Sequence, residues 1–197
     1  MELINTPMSV EQLLHDLAGW TDLSGVFKEA LLSGLHLERY RQHQVIVGEG
    51  QIENRLWYLG SGFARCYFYD SDSNEQTIRF WAPGEIIFSY QGYLKAPADV
   101  YIEILENAEL LSLTYKKLDI LSTSYPETKV LIRAYMLKQL RKDFRRTVLN
   151  AMNSEERYRA LRKENPLVFK YAPLRMIASY LEMSRESLSR LISRDHL

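Results

Sequence analysis

The chain has 197 residues, 46% of them hydrophobic, with 25 Lys/Arg balanced by 25 Asp/Glu and a single cysteine. That is enough apolar material for one sizeable core and a smaller satellite, yet no stretch approaches the roughly 18 uninterrupted apolar residues of a spanning helix. The opening MELINTPMSVEQLLHDL lacks the basic start and apolar run of a signal peptide, so a cytoplasmic location with no membrane partner is expected.

Cys66 lies in the apolar run FARCYFY and reads as a buried structural thiol; one cysteine makes neither an internal disulfide nor a Cys-rich metal centre. The zero net charge hides an asymmetry. Residues 1–128 hold nine Lys/Arg against eighteen Asp/Glu, whereas residues 129–197 hold sixteen against seven, so −9 is followed by +9. A basic C-terminal part points to a polyanion partner, although long solvated helices carry such charge without one.

Taken in chain order, two short helices are predicted first, from Ser9 to Ala18 and from Ser24 to Ser33, each opened by a serine cap and carrying apolar residues at three-to-four spacing. From Leu35 to about Thr114 the period changes. Runs such as QVIVGEGQ, RLWYLGSGFARCYFY and DVYIEILENAELLSL are rich in aromatic and β-branched residues, with DSDSN as a hairpin loop and glycines at the breaks. An antiparallel barrel or roll follows, and the absence of intervening helical patterns excludes parallel βαβ units.

KKLDILSTS adds a short helix, and Pro126 to about Met152 forms a long one without internal Gly or Pro. Along it Val130, Ala134, Leu137, Arg141, Phe144 and Val148 alternate steps of four and three, the spacing of a dimer seam that Arg141 interrupts. A helix packed on its own barrel shares that period; two-fold pairing is preferred because it suits a DNA reader.

The last 25 residues carry the most specific chemistry. Pro173 opens a helix whose inward face is Leu174, Ile177, Ala178 and Leu181; a four-residue turn follows, Ser184 caps a second helix, and Leu188, Leu191 and Ile192 form its inward face. Arg185, Glu186, Ser189 and Arg190 then point outward as base readers, because arginine reaches guanine O6 and N7 with two bonds and glutamate accepts from cytosine N4. Ser184, Lys170, Arg175 and Ser193 are the expected backbone contacts.

This order of elements resembles the Crp/Fnr family of regulators over nearly the whole chain, on VGEGQIENRLWYLGSGFAR, APGEIIFS, LLSLTYKKL and above all IASYLEMSRESLSRLI. The resemblance implies an α+β chain: a cyclic-nucleotide-binding-like roll over 1–124, a dimerisation helix over 125–152 and a helix-turn-helix domain over 153–197. It also implies that Arg185, Glu186 and Arg190 read the major groove of double-stranded DNA in a homodimer, and that the rolls contact RNA polymerase or hold the helices.

Departures from the family bear on the effector. Its cyclic-nucleotide binders carry a Gly-Glu pair, matched here by Gly84 and Glu85, followed some ten residues on by an arginine for the phosphate. That stretch reads LKAPADVYIE, with Pro97, Ala98 and Asp99 where the cation and its neighbouring hydroxyl should stand, so cyclic AMP is not expected to bind and no cofactor is assigned. His15, His36, His43 and His196 show no spacing that singles out a haem ligand. Tyr69, Phe88, Tyr90, Tyr93 and Tyr101 fall near the family's pocket, with Gly84, Glu85, Phe88 and Tyr101 the candidate wall; they fill it or bind a planar apolar effector.

The helix-turn-helix departs from the family as well. Glu182 stands where the turn usually has glycine, predicting roughly 1 kcal/mol of strain, and the end at Leu197 predicts no C-terminal wing. Phosphate charge is then expected from Lys142, Arg145, Arg146, Arg157, Arg159, Arg162 and Lys163 besides Lys170 and Arg175. A cupin-type enzyme is disfavoured, since no histidine pair sits in one strand motif. A ligand-sensing or protein-binding module with a degenerate hairpin is the alternative.

Overall fold

In a computed structural model, residues 8–195 are described; His196, the fourth candidate haem ligand, and the chain end, on which the expectation about a wing rests, lie outside the described residues. The order is two helices, α1 (Met8–Ala18) and α2 (Gly25–Leu32), then strands β1 (His36–Tyr40), β2 (Val45–Val47), β3 (Arg55–Tyr69), β4 (Glu75–Trp81) and β5 (Glu85–Ile87). A short helix α3 (Tyr90–Tyr93) precedes β6 (Tyr101–Thr114), and helices α4 (Tyr115–Ser124), α5 (Pro126–Asn150), α6 (Ser154–Glu164), α7 (Leu167–Tyr171), α8 (Leu174–Tyr180) and α9 (Arg185–Asp195) complete the chain. The fold is α+β, as the sequence reading expects.

All strand pairs are antiparallel. The long strands β3 and β6 pair from Arg55–Thr114 to Tyr67–Tyr101 and carry the rest: β1 and β2 on β6, β4 and β5 on β3. DSDSN is the β3–β4 hairpin, where the Asp70 carboxylate accepts from the backbone N–H groups of Asp72 and Asn74. Alternation sends Trp57 and Leu59 into the roll with Cys66, Trp81, Ile87 and Ile104, while Tyr58 between them points outward under α1 and α2. β3 thus covers apolar cores on both faces, which is why its sequence is almost continuously apolar. Gly62 is required: at φ +94° an added Cβ would sit 2.6 Å from that of Ala108 on β6.

Cys66 is buried, and burial pushes its thiol up to about 12, as befits a structural cysteine. Arg65, only 2% exposed, is held by Glu103 and Glu75 at 2.7 Å each and lies 4.0 Å over the Tyr67 ring, so the buried charge is fully partnered. Ser24 caps α2 as expected, its hydroxyl accepting from the Phe27 N–H at 3.2 Å. Ser9 does not cap α1. It lies inside the helix, buried against Gly60 of β3, because α1 begins one residue earlier.

A third core joins the two halves of the chain. Phe63, Phe80 and Leu105 of the roll pack with Tyr158, Leu161, Val168, Met176, Ile177, Leu181 and Leu188 of the C-terminal helices. Among the described residues no helix is long and apolar enough to cross a membrane.

Candidate nucleic-acid interface

α8 and α9 are joined by Leu181–Ser184 and held by most of the inward residues expected: Ile177, Ala178, Leu181 and Leu188 are buried, the last two completely, and Leu191 and Ile192 are half-buried, whereas Leu174, at the first position of α8, is exposed. Ala178 is small where the turn folds back, and its carbonyl accepts from the Met183 N–H at 3.0 Å. The Ser184 hydroxyl accepts from the Ser187 N–H at 3.1 Å and so caps α9. Pro173 stands just before α8 in an extended conformation rather than in its first turn.

Glu182 adopts φ +52°, the left-handed conformation expected at that position. Its carboxylate accepts from Asn150 at 2.7 Å and lies 3.5 Å from Arg146, and its carbonyl accepts from Arg157 at 3.2 Å. Replacing it by glycine or alanine loses the same side-chain bonds, but only glycine removes the strain. Glu182→Ala should therefore unfold at a stability about 1 kcal/mol below Glu182→Gly in paired urea titrations, and equal stabilities would show no strain at this turn.

Buried Leu188 turns α9 so that Arg185, Glu186, Ser189, Arg190 and Ser193 are all exposed. Arg190 makes a 3.4 Å contact to the Ser187 hydroxyl, and the Ser193 hydroxyl donates to the Ser189 carbonyl at 3.0 Å. The base-reading candidates thus share one solvent face, with the capping Ser184 at its start. Lys170 is also exposed, its ammonium 4.8 Å over the Tyr171 ring.

The remaining basic residues divide. Arg162 bonds Asp195 at 2.7 Å and the Tyr158 hydroxyl at 2.6 Å, and Arg159 bonds Glu155 at 2.6 Å. The Arg146 guanidinium stacks 3.9 Å from the Tyr180 ring centre. Lys142 meets the Glu85 carboxylate, and burial with the neighbouring Arg79 pulls its ammonium down to about 8. Arg146 and Lys142 thus tie α5 to α8 and to the roll, while Arg162 joins α6 to α9 and Arg159 pairs along α6, uses that charge counting does not reveal.

Arg175, expected at the DNA backbone, reaches the roll instead, where it pairs with Glu75 at 3.0 Å. Beside it the Ser179 hydroxyl accepts from the Thr77 N–H at 2.9 Å and donates to the Glu75 carbonyl at 3.0 Å. Burial raises the Glu75 carboxyl, but Arg65 and Arg175 outweigh that and hold it below its usual value. A polar clasp therefore fixes α8 on the β3–β4 hairpin.

On α5 the outward residues Leu137, Phe144 and Val148 are 50%, 69% and 40% exposed, and Arg141 beside them is exposed too, while Val130 and Ala134 near the start are half-buried. Met136 and Leu140, 58% and 66% exposed, extend the apolar stripe beyond the heptad reading. At 100° per residue Leu140 falls in the same arc as Leu137 and Phe144, so a straight helix presents it where a strict 3.5 period passes it over.

The four candidate effector residues are not brought together. Gly84 (φ +86°) and Glu85 form the turn before β5, where the Glu85 carboxylate accepts from the Ala82 N–H at 2.9 Å, so Glu85 closes its own turn. Tyr101 stacks on Tyr67 at the hairpin end and donates to Glu49 at 3.1 Å. Phe88 instead joins Tyr90, Tyr93, Tyr115 and Tyr135 outside the roll. The aromatic set thus splits in two, because strand direction sends Phe88 and Tyr101 to opposite ends of the sheet. His15 on α1, His36 on β1 and His43 in the turn between β1 and β2 are each exposed.

Residues 37–125 match the cyclic nucleotide-binding domain family. The chain is 25% identical over 166 residues to the anaerobic regulatory protein of Pasteurella multocida (strain Pm70), covering 78% of this chain and 60% of that protein. Its counterpart in Haemophilus influenzae is 24% identical over 166 residues, covering 78% and 64%. The chain thus spans less than two thirds of the length of these curated relatives. Among solved structures it is similar to FixK2 from Bradyrhizobium japonicum, with TM-score 0.71 and 20% identity over 82% of this chain and 84% of that one. It is also similar to the catabolite activator protein of Thermus thermophilus, with TM-score 0.56 and 20% identity over 91% and 85%.

Proposed function

We propose that this chain, a regulator of the Crp/Fnr type, binds double-stranded DNA as a homodimer and reads a palindromic site with α9. The carrying observation is the face of α9: Arg185, Glu186, Ser189 and Arg190 all project into solvent while Leu188, behind them, is completely buried. In this reading Arg185 and Arg190 give two-bond recognition of guanine, Glu186 accepts from cytosine, and Ser184, Ser193 and Lys170 meet phosphates. Arg175 serves the backbone only by exchanging Glu75 for phosphate.

The apolar stripe on α5 supplies the two-fold contact. Two α9 helices then enter successive major grooves about 34 Å apart, so the operator is an inverted repeat with half-sites one turn apart. The domain limits follow the same division: the roll to about 124, the pairing helix over 125–152, the reading domain from 153. RNA polymerase is a further partner in this reading.

Cyclic AMP is not the effector. Asp99 accepts from Gln91 at 2.7 Å where a phosphate-binding cation would be needed, and the nearby arginines are engaged: Arg65 by Glu103 and Glu75, Arg79 by Gln139 and Asp143. The roll interior is filled by Trp57, Trp81 and their neighbours.

Selection from a random duplex library with ligand-free protein tests the proposal. The expected result is an enriched inverted repeat, unchanged by added cyclic AMP. Arg190→Ala should relax preference at one base pair per half-site by about 1–3 kcal/mol. Persisting preference would remove Arg190 as a reader, and absence of salt-dependent DNA binding would favour a protein partner for the hairpin.

A further inference from the structure

An almost wholly apolar hollow lies outside the roll, between α1, α2, the outer face of β3 and β6, and α4 and α5. Its volume is about 370 Å³, on the order of a dozen waters at ~30 Å³ each. It is walled by aliphatic and aromatic side chains, among them Trp20, Phe27, Leu111, Leu131, Ile132 and Tyr135. Not one Lys, Arg, His, Asp or Glu side chain lines it.

Of its wall hydroxyls, those of Tyr58, Tyr93 and Thr128 are already used within the protein. Tyr58 donates to Asp16 at 2.6 Å, Tyr93 to Asp119 at 3.2 Å and Thr128 to the Leu121 carbonyl at 3.1 Å. Water entering the hollow would find few partners, and an anion would find no cation, so both are disfavoured. An apolar molecule meets neither penalty and gains aromatic contact with Phe88 and Tyr135. The mouth opens beside Tyr90, Tyr93 and Met136, and Met136 adjoins Leu140 on the exposed stripe of α5.

We propose that this hollow is the binding site of a small, uncharged, predominantly apolar organic molecule. Its occupant touches α5 through Leu131, Ile132 and Tyr135, so it sits against the helix that pairs the subunits. The assignment of the occupant as an effector rests on the DNA-regulator reading; the binding itself does not.

The test is fluorescence titration with N-phenyl-1-naphthylamine, an uncharged aromatic probe. Saturable binding at one probe per chain is expected, weakened about tenfold or more when Ile132→Trp fills the hollow and when Met136→Trp covers its mouth. Met136 is exposed, so its variant keeps the fold if Ile132→Trp does not. Absence of saturable binding, or binding untouched by both variants, overturns the proposal. So does loss of binding with Leu140→Glu alone, which would place the probe on the open face of α5. Probe binding by a protein that selects no DNA sequence would sink the regulator reading and leave the site standing; sequence selection without probe binding would do the reverse.

Discussion

A chain carrying Leu140→Glu and Phe144→Glu should sediment as a monomer and lose about a hundredfold or more in affinity for the full inverted repeat, while binding one half-site as the parent subunit does. These side chains are 66% and 69% exposed in the single chain and sit with Leu137 and Val148 along α5. An apolar stripe of that length facing water is a site of association rather than a stable surface. In the proposed dimer, two carboxylates per helix would place four like charges in the seam, where their desolvation has no compensating partner. Pairing also converts the second half-site contact into an intramolecular one, which is worth about 10²–10⁴ in affinity without any new contact. Because both side chains are largely exposed in their own chain, the melting profile of the monomer should keep its shape. A variant that remains dimeric would move the two-fold axis to another face of the molecule.

Leu188→Ala has the second large effect, and it reaches well beyond α9. Leu188 is completely buried in the core that Phe63, Phe80 and Leu105 of the roll share with the C-terminal helices. Removing a buried leucine side chain costs about 2–5 kcal/mol, a shift of roughly 5–15 °C in midpoint for a chain of this size. Since the core is shared, the roll should melt in the same lowered transition. Trp57 and Trp81, buried inside the roll, report on it by fluorescence, while backbone circular dichroism reports on the helices. Coincident midpoints are expected. If tryptophan fluorescence kept the parent midpoint while helicity fell early, the shared core would not couple the two halves. The Ser189→Ala variant, one residue along on the solvent face, should leave the midpoint in place.

The clasp around Glu75 makes this coupling dependent on acidity. Its carboxyl is held below the ordinary value of 4.5 by Arg65 and Arg175, so its contribution is complete above that value and is lost as the pH falls through the lower folded value. Acid should thus loosen α8 from the hairpin, whereas mild alkali should not.

Local chemistry was legible along the chain. The change of period near Leu35 and again near Tyr115, the DSDSN hairpin, the Ser24 and Ser184 caps, the left-handed Glu182 and the inward leucines of α9 each depend on a few neighbouring residues, and each is found in the structure. The position of Arg185, Glu186 and Arg190 on one face follows from the same short-range period. The helices α6 and α7 were not anticipated, although Asn153 followed three residues later by Glu156 spells a capping box, which the structure forms.

What the tertiary structure alone decided rests on residues far apart in sequence. Arg175 meets Glu75 across 100 positions, Ser179 meets Thr77 across 102, and Lys142 meets Glu85 across 57. No local pattern encodes those pairings, because a charged side chain looks the same in sequence whether it faces phosphate, solvent or a carboxylate brought in by the fold. The apolar hollow has the same origin. Each of its walls reads as an ordinary inward face of a helix or strand, and the space between them exists only because the helices and the outer face of the sheet fail to close completely on one another. Sequence thus determined the elements and the face each one buries, since those depend on the spacing of neighbours; the partners of the charges, the split of the aromatic set and the vacant volume depend on how the faces meet.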